Sequence, residues 1–131
     1  MSHISDGDLD AWGYYEGEAN PSTLHPSLGS INYSKWVEGK ILTEGNDRLV
    51  ENTLGLVGEA GEVAEKIKKL IRDNSRFTPD DIAKELGDVV FYSAALGNIF
   101  GHTLESIIKL NMDKLDGREA RGTLKGSGDD R

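Results

Sequence analysis

The chain has 131 residues, with 15 Lys and Arg against 23 Asp and Glu, which leaves a formal net charge of −8. That length suits one domain, and the 37% of apolar residues supply a modest core that small chains often extend by pairing with copies of themselves. Zero cysteines exclude a disulfide framework and a thiolate zinc site, and the acidic balance argues against a binder of duplex nucleic acid, which needs a basic face.

Residues 1–30 are rich in Gly, Asp, Glu, Ser and Pro and follow neither a helical nor a strand period, so they read as an irregular N-terminal arm carrying Trp12, Tyr14 and Tyr15. They lack the basic start and apolar stretch of a secretory signal, and no run of 18 apolar residues occurs, so a cytoplasmic protein without a membrane span is expected. From Ile31 the pattern turns helical. A first segment, roughly 32–43, places Tyr33, Trp36, Val37 and Ile41 on neighbouring turns; Tyr33 and Trp36 read as core residues, or alternatively as a stacking face for a nucleobase. Gly45-Asn46-Asp47 punctuates the chain, and a second helix runs from about Arg48 to Asp73. Its last turns hold Lys66, Lys68, Lys69 and Arg72, cations that suit the negative end of a helix dipole. A third helix opens with Thr78 as N-cap, Pro79 in the first turn and Asp81 at capping-box spacing, and Gly101 stops it. The fourth starts at Thr103 and ends near Asp116-Gly117. No segment alternates with period two, so the expected fold is all-α, a four-helix bundle over 31–118 with a Gly-rich tail over 119–131.

The chemistry concentrates in two acid-x-x-acid pairs, Glu59 with Glu62 on the second helix and Glu85 with Asp88 on the third. Residues at i and i+3 share a helix face, so two such helices packed antiparallel bring four carboxylates to one cleft. A lone pair of this kind is usually a solvated acidic face. Here, however, both pairs lie among apolar residues, both contain a mid-helix glycine (Gly61 and Gly87), and neither motif contains a cation. Glycine in a helix costs about 0.8–1 kcal/mol against alanine, which a closely approaching neighbour or ligand would explain, and Gly55, Gly58 and Gly61 clear one side of the second helix in the same way. Four repelling carboxylates call for a hard cation, Mg²⁺ or Mn²⁺. His3, His25 and His102 are not at ligand spacing and read as surface or loop residues.

On the fourth helix Asn111, Lys114 and Arg118 step at i, i+3 and i+7. Asn111 interrupts an apolar stripe and needs a polar partner. Acids for a metal together with an amide and two cations describe a site for a polyphosphate.

These motifs resemble the MazG-like all-α nucleoside triphosphate pyrophosphohydrolases, a family related to dimeric dUTP pyrophosphatases. The matching text is the GLVGEAGEVAEK that holds Glu59 and Glu62, the KELGDVVFY that holds Glu85 and Asp88, and the NMDKLDGR that holds Asn111, Lys114 and Arg118. The resemblance covers roughly residues 31–131. It implies hydrolysis of a nucleoside triphosphate to monophosphate and pyrophosphate. Glu59, Glu62, Glu85 and Asp88 would hold Mg²⁺, and Asn111, Lys114 and Arg118 would contact sugar or phosphates. It further implies a homodimer or homotetramer. Many members carry a further Glu just before the first motif acid, where this chain has Gly58, so the identity of the general base stays open.

The expected chemistry is in-line attack of a metal-activated water on the α-phosphorus, with Glu59 accepting the proton, and a (deoxy)purine triphosphate as the favoured substrate. A dUTP or phosphoribosyl-ATP pyrophosphatase fits the same scaffold. A helical dimerisation module whose acids merely solvate its surface is the alternative from a different class. The tail either closes over a bound nucleotide, with Lys125 and Arg131 reaching its phosphates, or remains a loose terminus.

Overall fold

A computed structural model describes residues 32–73 and 76–128. The N-terminal arm with its aromatics, His3, His25 and Arg131 lie outside these residues. Four helices follow one another: α1 (Tyr33–Glu38), α2 (Gly45–Asp73), α3 (Pro79–Ile99) and α4 (Leu104–Ala120), with no strand among the described residues.

The helix starts are set by side chains that cap them. Asn32 Oδ1 accepts from the Lys35 amide at 3.1 Å at the head of α1. Before α3 the capping box is complete, with Thr78 Oγ1 accepting from the Asp81 amide at 3.2 Å and Asp81 Oδ2 accepting from the Thr78 amide at 2.9 Å. Thr103 Oγ1 accepts from the Ser106 amide at 3.1 Å at the start of α4. Gly101, at φ +76°, turns the chain between α3 and α4, a conformation that glycine reaches without steric cost.

Three boundaries differ from the sequence pattern. α2 already starts at Gly45, so Gly45-Asn46-Asp47 form its first turn rather than a break before it. α1 stops at Glu38 rather than Thr43, because the Glu38 carboxylate is clasped by both terminal nitrogens of Arg48 on α2 (2.8 and 2.5 Å) and by Asn98 Nδ2 on α3 (3.0 Å). This clasp turns the chain directly into α2. α4 passes through Gly117 to Ala120, where the Arg121 guanidinium lies back over the glycine and occupies the space that a Cβ would need.

α2 and α3 run antiparallel. Going up α2, Gly55 meets Tyr92, Glu59 meets Glu85 and Asp88, and Lys66 meets Glu85 and Phe77. α1 crosses α3, burying Val37 against Ala94 and Ala95, with Tyr33, Ile41, Phe91 and Leu104 around them. Buried Ser34 fastens the other elements to α1, since its carbonyl accepts from Asn98 Nδ2 at 2.9 Å and its hydroxyl accepts from the Leu104 amide at 2.7 Å. α4 is anchored at its first turns, where Gly97 admits Ile107, and makes no extensive contact with α2. The bundle is therefore open: Leu54 and Val57 on α2, and Leu110 and Met112 on α4, are each more than half exposed.

Candidate metal and nucleotide site

The antiparallel pairing places one carboxylate oxygen each from Glu59, Glu85 and Asp88 within 4.8 Å of one another. Glu59 and Glu85 are half-buried and Asp88 is exposed. Partial burial pushes the Glu59 carboxyl above the usual carboxylate range, and the charges of Asp88, Glu85 and Glu62 push it further in the same direction. Glu62, on the next turn, thus acts on Glu59 through its charge while lying outside the group of three.

Lys66 is the residue that the motif pattern missed. Its ammonium is 2.8 Å from Glu85 Oε1 and stands 5.4 Å from the centre of the Phe77 ring. The hydrogen bond to Glu85 raises its pKa, as do the nearby charges of Glu85, Asp81 and Glu62. Spacing marked Lys66 as a helix-end cation, but its partner sits on the other helix. Its place one turn after Glu62, on the same helix face, was the available signal.

Beside the acids lies a row of aromatic rings. Tyr33 stacks on Trp36 with centroids 5.7 Å apart, Trp36 meets Phe91 edge-on at 6.3 Å, and Phe91 meets Tyr92 at 5.3 Å. Burial raises the Tyr33 phenol pKa and the charge of Asp88 adds to it; at the other end of the row Tyr92 packs on Gly55, one turn before Glu59. Trp36, read from its spacing as core, is 46% exposed.

The glycines divide. Gly55 is closed against the Tyr92 ring, as a close approach requires, whereas no described atom comes within 4 Å of a Cβ built at Gly58, Gly61 or Gly87. Of these four glycines the expected close neighbour is therefore found at Gly55 alone.

The basic motif on α4 occupies a different surface. Asn111 and Lys114 line an open groove of about 660 Å³ together with His102, Ile107, Leu110, Asp113, Gly117 and Arg121, and none of the four motif acids lines it. Arg118 is 6% exposed, and its Nη2 donates to the Gly128 carbonyl at 2.8 Å, folding the tail back on the end of α4. Exposed His102 contacts Ser106 Oγ at 3.1 Å through Nδ1.

The donor set of the trio fits a hard divalent cation: three carboxylates, two of them partly covered, with Glu59 raised in pKa by burial first and by the neighbouring acids second.

Comparison with known proteins agrees with this chemistry. The family described as MazG nucleotide pyrophosphohydrolase domain matches residues 49–122, a span that holds all seven motif residues. The Gene 37 protein of Mycobacterium phage L5 is 46% identical over 121 residues, a stretch that covers 89% of this chain and 96% of that protein. No solved structure matches. The antiparallel acidic helices, and a family match across more than half of the chain, lead to one conclusion: this chain belongs to the MazG nucleotide pyrophosphohydrolase family.

Proposed function

We propose that the chain hydrolyses a (deoxy)nucleoside triphosphate to the monophosphate and pyrophosphate in a Mg²⁺-dependent reaction, with Mn²⁺ able to substitute. The observation that supports this most directly is the meeting of Glu59, Glu85 and Asp88 within 4.8 Å on a chain of this family. Glu62 joins them as a further ligand. When bound, the cation polarises the phosphates and lowers the pKa of coordinated water. Water oxygen attacks the α-phosphorus, the bond from that phosphorus to the bridging oxygen breaks, and pyrophosphate leaves. Glu59 takes the proton, directly or through a second water. Asn111, Lys114 and Arg118 would serve the sugar and phosphates of a nucleotide that reaches from the acids to the separate α4 groove, once the Arg118 contact to the tail is released.

The exposed Trp36, stacked on Tyr33, offers a face for the base, and the larger ring system of a purine covers more of it. The uncovered apolar residues of α2 and α4 fit a homodimer or homotetramer, an assembly that would cover both helices. We place the activity in the cytoplasm, where nucleoside triphosphates are made and used. No described helix is long and apolar enough to cross a membrane.

Purified protein incubated with Mg²⁺ and a panel of the common nucleoside triphosphates, dUTP and phosphoribosyl-ATP tests the reading. Pyrophosphate and the matching monophosphate should form in equal amounts, fastest with a purine. Orthophosphate as the sole phosphate product contradicts the assigned bond, and absence of turnover on the whole panel favours the dimerisation module.

A further inference from the structure

Lys66 lies where the two acidic helices close below the carboxylate trio. Its ammonium is 2.8 Å from Glu85 Oε1, and the two side chains are only 25% and 18% exposed. The Phe77 ring supports it from another side, 5.4 Å away. Glu62 on its own helix and Asp81 on α3 add negative charge around it. The carboxylate it holds also belongs to the trio with Glu59 and Asp88.

We propose that Lys66 is a built-in counter-cation for the carboxylate cluster: it neutralises Glu85 in the metal-free protein and opposes the entry of a bare divalent ion at the same carboxylates. This rests on the metal-site reading given above. Two effects of Lys66 compete. Its hydrogen bond orients Glu85, which helps a metal. An ion held by the same carboxylate would feel this charge at close range, and at a separation of about 5 Å the repulsion would weaken binding about tenfold even with the screening of bulk water. Glu85 is already packed between α2 and α3, so orientation adds little and charge decides the sign. A metal–triphosphate complex carries net negative charge, and Lys66 attracts it. The divalent ion therefore enters together with the nucleotide, and the acids are kept compatible with folding until it does.

The test compares wild type with Lys66→Arg, Lys66→Gln and Lys66→Met, each first shown by circular dichroism to keep its helical content. Mn²⁺ binding is followed by electron paramagnetic resonance, alongside the melting temperature of the metal-free protein. Gln keeps a donor to Glu85 but removes the charge, so it separates charge from orientation. The expected result is about tenfold tighter binding of bare Mn²⁺ by Lys66→Gln and Lys66→Met, with lower metal-free melting temperatures and wild-type behaviour in Lys66→Arg. A Mg²⁺-bound, non-hydrolysable nucleoside triphosphate analogue should bind more weakly to the same two variants. Unchanged or weaker Mn²⁺ binding in Lys66→Gln, with wild type binding Mn²⁺ normally, overturns the role of Lys66 alone. Failure of wild type and of all three variants to bind Mn²⁺, with or without the nucleotide analogue, overturns the metal-site reading and this inference with it.

Discussion

At the scale of single residues, carboxylates that repel one another are held together at Glu59, Glu85 and Asp88. Glu59 holds its proton more tightly than an ordinary carboxylate, through partial burial first and the neighbouring acids second. A folded-state pKa above the unfolded one gives a contribution to stability that is full below the ordinary carboxylate range. It is lost as pH rises through the folded-state value. Metal-free Glu59→Gln should therefore melt above wild type at pH 7, by on the order of 0.5 kcal/mol for the relieved like-charge pairs. The two should converge toward pH 4, a comparison that scanning calorimetry makes directly. The glycines give a second prediction. Gly55→Ala pushes a methyl into the Tyr92 ring and should destabilise by about 1–3 kcal/mol. Gly87→Ala meets no described protein atom and should stabilise by up to about 1 kcal/mol. If turnover drops while Gly87→Ala melts higher, the open space beside the acids belongs to the ligand.

At the scale of helices, what was legible in the sequence was what is decided locally. Thr78-Pro79-Asp80-Asp81 carries its cap, its first turn and its acidic N-terminus within four residues, and the structure forms the complete capping box there. Thr78→Ala should cost about 1 kcal/mol and lower the melting temperature by about 4–8 °C. Metal affinity should stay unchanged, since Thr78 bonds Asp81 and none of the four motif acids. The acid pairs were legible for the same reason, because an i,i+3 step fixes one face whatever packs on it. The end of α1 was not. It is set by Glu38 meeting Arg48 and Asn98, residues that only the tertiary fold brings together. Lys66 escaped for a similar reason, because its partner lies on another helix. The spacing of Asn111 and Lys114 gave their shared face on α4, but not the direction in which α4 leaves α3, and so not their groove.

At the scale of the whole molecule, the described residues bury few side chains completely, while Leu54, Val57, Leu110 and Met112 stand more than half exposed. Such a surface is costly in water at about 25 cal/mol per Å² and is best covered by another copy. Sedimentation at micromolar concentration should give twice or four times the 14.3 kDa of one chain, and Leu110→Asp should shift it toward the single-chain mass. A wild-type chain that sediments at 14.3 kDa contradicts the proposed assembly. The central claim is that the three converging carboxylates drive hydrolysis at the α-phosphorus. It is tested most directly by measuring pyrophosphate released from a nucleoside triphosphate in Mg²⁺ by wild type and by Glu59→Gln. The account predicts pyrophosphate and monophosphate from wild type, and a loss of at least about a hundredfold in the variant. Undiminished pyrophosphate release by Glu59→Gln would contradict it.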